Sequence, residues 1–266
     1  MSNSSLTHIY LSPHLDDAVL SCGGMIHQQA QAGARVVVVT LCAGMPAARA
    51  ASAFAESLYA RWQIPAAQAV SARRTEDQAA LRALGAEWIH LEVPDCIYRV
   101  NPATGEALYA SEAALFGEWQ LSETALLRRS VETLAGCLHL FARRHFYAPL
   151  ALGHHVDHQL ARRAAEQAGG VWAYYEDYPY ADREANLSPN SKVIGTETRG
   201  LASEIVPFTE ADLKAKGRAV AAYTSQINTF WKDPEEIEPS LRAYAEHIGE
   251  GRLAERLWRL PVASGT

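Results

Sequence analysis

Two short stretches concentrate the side chains that could do chemistry. One reads Ser12-Pro13-His14-Leu15-Asp16-Asp17 and the other Gly153-His154-His155-Val156-Asp157-His158. Between them they supply imidazoles and carboxylates and no thiol. Gathered unpaired in one crevice, such groups would repel one another and resist desolvation, and a divalent cation resolves both difficulties. Nitrogen and oxygen donors without sulfur favour a catalytic centre of the His/His/carboxylate type. Zinc is the first candidate for it, with another divalent ion such as Fe2+ as the alternative. An open coordination position would activate water, and a spare carboxylate would take the proton. A lone Asp at such a place is ordinarily a helix cap. The convergence of two clusters is what points to a site.

The elements that must position these clusters follow from periodicity. Short β-branched runs at residues 8–12, 35–41, 87–93, 146–152 and 171–175 alternate with helical patterns at 18–32, 68–84, 123–144 and 157–168. That alternation predicts an α/β fold, Rossmann-like and doubly wound: a mostly parallel sheet with helices on both faces. The run at 35–41 (RVVVVTL) is almost continuously apolar, as expected of a strand covered on both sides. A further strand at 202–206, read as antiparallel, and helices at 210–231 and 240–257 complete the chain. In this topology the first and fourth strands lie side by side. Their carboxyl ends meet where strand order reverses, the usual ligand crevice of such sheets. Residues 96–122 read as a long irregular loop punctuated by Asn101-Pro102 and Thr104-Gly105, and loops of that length are more often functional than idle. Without repeat or linker, residues 1–266 read as one domain, with a motif-bearing core over 8–178 and a C-terminal strand and helices over 200–260.

Composition removes other classes. The chain has 266 residues, 48% of them apolar, and a net charge of −6. A disordered or repeat chain is excluded, and the acidic balance argues against a nucleic-acid partner. Cys22, Cys42, Cys96 and Cys137 have no metal-ligand spacing and read as buried thiols in a reducing compartment. No basic stretch leads into an apolar one at the N-terminus. The longest apolar run is far below the ~20 residues that span a bilayer. The expectation is a cytoplasmic protein with no membrane partner.

Three segments also carry a family resemblance. SPHLDDAVLSCGG (12–24) resembles the AHPDDE…GCGG signature of the PIG-L/LmbE-like de-N-acetylases, and His155-x-Asp157-His158 resembles their second motif. RRTEDQAALRALG (73–85) is similar to the helix between them. The resemblance implies zinc ligands His14, Asp17 and His158, with Asp16 as the general base. It implies that His155 stabilises the oxyanion and protonates the leaving amine, with Asp157 holding its charged form. It assigns Arg73, Asp95 and more weakly Arg74 to sugar hydroxyls. The implied activity is metal-dependent hydrolysis of a linear amide, removing an N-acetyl group from an amino sugar or related small metabolite. Departures are Leu15 for proline and Ala18 for glutamate, neither a ligand position. Gly153 stands where some members carry a tyrosine that helps stabilise the intermediate, and His154 is an extra imidazole without a role.

Two alternative classes fit the sequence less well. His154–His158 is similar to the HxHxDH run of metallo-β-lactamases, but that run needs His at 153, where this chain has Gly. A non-catalytic sugar- or nucleotide-binding module would want G-x-G-x-x-G after the first strand. Cys22-Gly23-Gly24 instead falls inside the first helix.

Overall fold

The computed structural model describes residues 6–46, 52–182 and 196–261. Its strands are β1 (Thr7–Ser12), β2 (Arg35–Thr40), β3 (Glu87–His90), β4 (Arg144–Pro149), β5 (Val171–Tyr175), β6 (Ala202–Pro207) and β7 (Ala254–Arg259). They form one sheet in the order β3-β2-β1-β4-β5-β7-β6. β1 to β5 are mutually parallel. The helices are α1 (Asp17–Gln31), α2 (Ala53–Trp62), α3 (Ala69–Leu84), α4 (Glu112–Leu115), α5 (Thr124–Leu138), α6 (Val156–Ala168), α7 (Glu210–Ala221), α8 (Ile227–Phe230) and α9 (Ile237–Ile248).

Strand alternation builds two cores. Tyr10, Val36 and Val38 face one way, into a cluster shared with α1, α3, α7 and α9. Ile9, Val37 and Val39 face the other way, against α5 and α6. The sheet is thus covered on both faces, as the apolar run of β2 requires. A third, smaller cluster joins Leu58 and Trp62 of α2 to Ile97, Tyr98 and Leu115. It packs beside the carboxyl ends of the strands. β1 pairs with β2 on one side and β4 on the other, so the expected switch point is present.

The differences from expectation lie mainly in the C-terminal half. The helix expected over 240–257 ends at Ile248, and the chain returns as strand β7. Glu250 and Gly251 adopt positive φ angles of 53° and 91°, which breaks the helix. β7 pairs antiparallel with both neighbours, so β6 runs in the same sense as β5 and the reversed strand is β7. The helix expected over 210–231 is interrupted after Ala221. There Glu76 of α3 accepts hydrogen bonds from the Ser225 N–H, Ser225 Oγ and Thr224 Oγ1, capturing the break from outside. α5 stops at Leu138, six residues early, because β4 already starts at Arg144, opposite Thr7. α2 had no sequence counterpart; Ser52 caps it by accepting from the Ala55 N–H.

Candidate active site

At the end of β1 the capping duty falls on a serine. Ser12 Oγ accepts from the Ala18 N–H at 3.0 Å and donates to the His14 carbonyl. Asp16 occupies the N-cap position of α1 yet makes no side-chain cap bond. Both carboxylates are therefore released from the helix. Asp17 Oδ2 accepts from the His14 backbone N–H at 2.7 Å and lies 3.0 Å from His14 Nδ1. Its place in the first turn of α1 suits a negative charge.

At the end of β4 the chain turns sharply, with Ala151, Gly153 and His154 all at positive φ. Only glycine serves at 153: a Cβ there would sit 2.6 Å from the Tyr180 ring, besides the strain of φ +79°. The turn delivers His155 to the N-cap of α6, where its Nδ1 accepts from the Asp157 N–H. That bond leaves the proton of a neutral ring on Nε2. His158 follows one turn into α6 and is fully buried.

His158 Nδ1 is bonded to Asp177 Oδ1 at 2.6 Å. Its Nε2 is buried with no hydrogen-bond partner and lies 3.3 Å from Asp17 Oδ2. On the other side, His14 Nε2 bonds to Asp157 Oδ2 at 2.9 Å, leaving Nδ1 toward Asp17. Each imidazole thus keeps one nitrogen on a supporting carboxylate and turns the other inward, the arrangement of metal-ligating histidines. The inward separations of 3.0 and 3.3 Å are close to the edge of about 3.3 Å expected between donors around a tetrahedral zinc. His14, His155 and His158 also bring a ring nitrogen each within 4.8 Å of one another. The donor set fits a divalent cation.

The electrostatics are those of such a site holding protons. Burial opposes a charged His14, but bonds to Asp157 and Asp17 hold it well above the ordinary histidine value. Burial also opposes charge on His158, and Asp17 and Asp177 push it up to about 9. Asp17, though buried, is drawn well below the usual carboxylate range by His158 and His14. Asp16 is raised to about 6 by burial and by Asp17, with Arg73 pulling the other way. Burial and the neighbouring His14 keep His155 well below its ordinary value.

Residues 9–169 match the family described as PIG-L, GlcNAc-PI de-N-acetylase, which is more than half of the chain. The chain belongs to this family. It is 30% identical over 266 residues to 2'-N-acetylparomamine deacetylase of Streptomyces fradiae, covering 94% of this chain and 80% of that one. It is 29% identical over 194 residues to the Niallia circulans protein of the same name, covering 68% and 70% respectively. A teicoplanin deacetylase solved in its zinc-inhibited form superposes with a TM-score of 0.81 at 26% identity, over 98% of this chain and all of that one.

In this PIG-L chain the predicted residues converge. His14, Asp16, Asp17, Arg73, Asp95 and His155 line one open cavity of about 190 Å3, with His158 and Asp157 buried behind it. Arg73 lies 3.7 Å from both Asp16 and Asp95, against the Trp62 ring. Two expectations change. Asp157 does not hydrogen-bond the His155 ring through its carboxylate; that carboxylate is taken by His14, the Cys96 N–H and Arg99. Arg74 turns away, to the Ala43 carbonyl and Glu92. His154 is outside the cavity lining, and its carbonyl accepts from Gln159.

Sequence reasoning passed over four contributors. Asp177 lies two residues past β5, where a carboxylate in such a sheet is a signal. Arg99 lay inside the irregular loop with nothing to mark it. Phe116 and Tyr180 line the cavity together with Phe54 of α2 and Phe230 of α8. The Phe116 ring meets His155 edge-on at 5.5 Å, and Tyr180 meets His158 at 5.4 Å. Among the described residues no helix is long and apolar enough to cross a membrane.

Proposed function

We propose that the protein hydrolyses the N-acetyl amide of an amino sugar, with a divalent cation, zinc first and Fe2+ as the alternative, held by His14, Asp17 and His158. The observation that carries this reading is the buried His158 Nε2, without a hydrogen-bond partner and 3.3 Å from Asp17 Oδ2, beside a cavity that Asp16 and His155 line. When bound, the cation supplies Lewis acidity, making water nucleophilic near neutral pH and polarising the amide carbonyl.

The chain's own residues do the rest. Asp16 takes the proton from the attacking water as its oxygen bonds to the carbonyl carbon; with an affinity near pH 6 it can hold that proton briefly. His155, neutral with its proton on Nε2, donates to the carbonyl oxygen as negative charge develops there. A neutral ring has no second proton to give readily. Asp16 therefore returns its proton to the nitrogen as the C–N bond breaks, leaving acetate and a free amine. Arg73 and Asp95 offer a donor and an acceptor to sugar hydroxyls beside the amide. The 2'-N-acetylparomamine named for both relatives, and the teicoplanin complex of a structural neighbour, support an amino sugar as the substrate class.

The test is release of primary amine from a panel of N-acetylated amino sugars, with and without a chelator. Chelator-sensitive release from at least one member is expected. Release that survives complete metal removal, or none from any member, defeats the reading.

A further inference from the structure

The segment from Cys96 to Glu123 is bolted to the metal-binding end of α6 through one buried guanidinium. Arg99 has 4% of its side chain exposed. It pairs with Asp157 Oδ1, lies 3.2 Å from Glu123 Oε1, and stacks over the Tyr109 ring. Asp157 uses its other oxygen for His14 Nε2 and the Cys96 N–H, both at 2.9 Å. Glu123 in turn accepts from the Tyr109 hydroxyl, whose oxygen accepts the Gln120 N–H at 3.2 Å. A continuous polar chain therefore runs from Gln120, through Tyr109, Glu123, Arg99 and Asp157, to His14. A second bolt comes from Gln159 of α6, whose Nε2 donates to the carbonyl of Gly117. The residues so enclosed include Glu112, Leu115 and Phe116, which form one side of the cavity mouth.

We propose that Arg99 is a positioning residue that couples the metal site to the mouth loop, so that cation affinity and the order of residues 99–123 rise and fall together. The inference rests on the reading that His14, Asp17 and His158 hold a divalent cation. Asp157 can keep His14 Nδ1 turned inward only while its own carboxylate is fixed and charged. Arg99 is the cation that makes this tenable in a buried place. Without it, Glu123 loses its cationic partner and Asp157 keeps only His14 beside its buried charge. The segment then shifts to carry these carboxylates toward water, and His14 loses its orienting acceptor. Lysine is no full substitute, because one ammonium cannot reach both carboxylates with the geometry of a planar fork. Linkage then requires the converse: a cation that fixes His14 also steadies Asp157, Arg99 and the loop beyond.

Two measurements test this without reference to turnover. Zinc affinity is measured by chelator competition for the wild type, Arg99→Met and Arg99→Lys. Amide hydrogen exchange at Gln120 and at Leu108, whose N–H donates to the Arg99 carbonyl at 3.0 Å, is followed with and without zinc. Arg99→Met is expected to weaken zinc binding about 10–100-fold, with Arg99→Lys between it and the wild type. Zinc is expected to slow exchange at Leu108 and Gln120 in the wild type and to slow it less in Arg99→Lys. If Arg99→Met does not fold, Arg99→Lys decides alone. Variants that melt earlier but bind zinc as tightly as the wild type would assign Arg99 a merely structural role and overturn the proposal. Wild-type amides indifferent to zinc would also overturn it. A wild type that binds no cation fails differently, and takes the metal reading with it.

Discussion

The floor and the mouth of the cavity are built on opposite plans. On the floor, His14, His158, Asp17 and Asp157 come from the turns and first helical turns that follow the adjacent parallel strands β1 and β4, are nearly or fully buried, and each has at least one charged partner. At the mouth, Phe54, Phe116, Tyr180 and Phe230 come from short helices and turns and are left partly open to solvent. The floor is fixed by electrostatics inside a low-dielectric setting, where a misplaced charge is severe. The mouth is fixed by shape and apolar contact, where a lost ring removes area and little else. Under the proposed function, chemistry and selectivity reside on separate structural supports, and substitutions should sort accordingly.

The largest expected effect is on the floor. Asp16→Asn should lower kcat by about 10^2 to 10^4-fold while the bound metal stays at wild-type level. Undiminished turnover would remove Asp16 from the mechanism. Asp177→Asn reaches the floor from one layer back. It should weaken metal affinity roughly 10–100-fold by freeing the His158 ring, read by chelator competition, and an unchanged affinity would show that the ring needs no such support.

Acid–base linkage offers a third way to sharpen the contrast. His158 stands near 9 in the folded chain against an ordinary 6.5. Its ion pairs therefore stabilise the metal-free protein fully below pH about 6.5, and that contribution is lost as pH rises through about 9. The cation competes with this proton, so metal affinity should climb over the same window. Melting curves of chelated protein from pH 6 to 9.5 check the sign; a flat profile contradicts it. The smallest effect belongs to the mouth. Phe116→Ala should raise KM by roughly ten-fold or less with kcat nearly unchanged, as loss of one partly exposed ring implies. A large fall in kcat would mean that the mouth takes part in the chemistry.

The same division decided what could be read from the sequence. The floor was legible because strand ends in a doubly wound sheet are fixed by periodicity, and periodicity was plain in RVVVVTL and its neighbours. Adjacency of β1 and β4 then followed from topology. Arg99 was not legible, because its partner is 58 residues away and it sits in no repeating pattern; Asp177 had its strand-end position to mark it, but its partner is 19 residues away. The break after Ala221 was hidden for the same reason. Glu76, on another helix, captures it, and that contact leaves no mark in the local sequence. β7 was missed because alternation over six residues was weaker than the helical run before it, although Gly249 and Gly251 stood between them.

Gly153 carries a consequence for how this cavity can change. Its missing side chain and the Tyr180 ring claim one volume. A larger residue at 153 can enter only if the residue at 180 shrinks or leaves, and the left-handed backbone must relax as well. The two positions form an exclusive pair separated by 27 residues of chain. The wall beside His158 can be furnished from the β4 turn or from the segment after β5, but never from both.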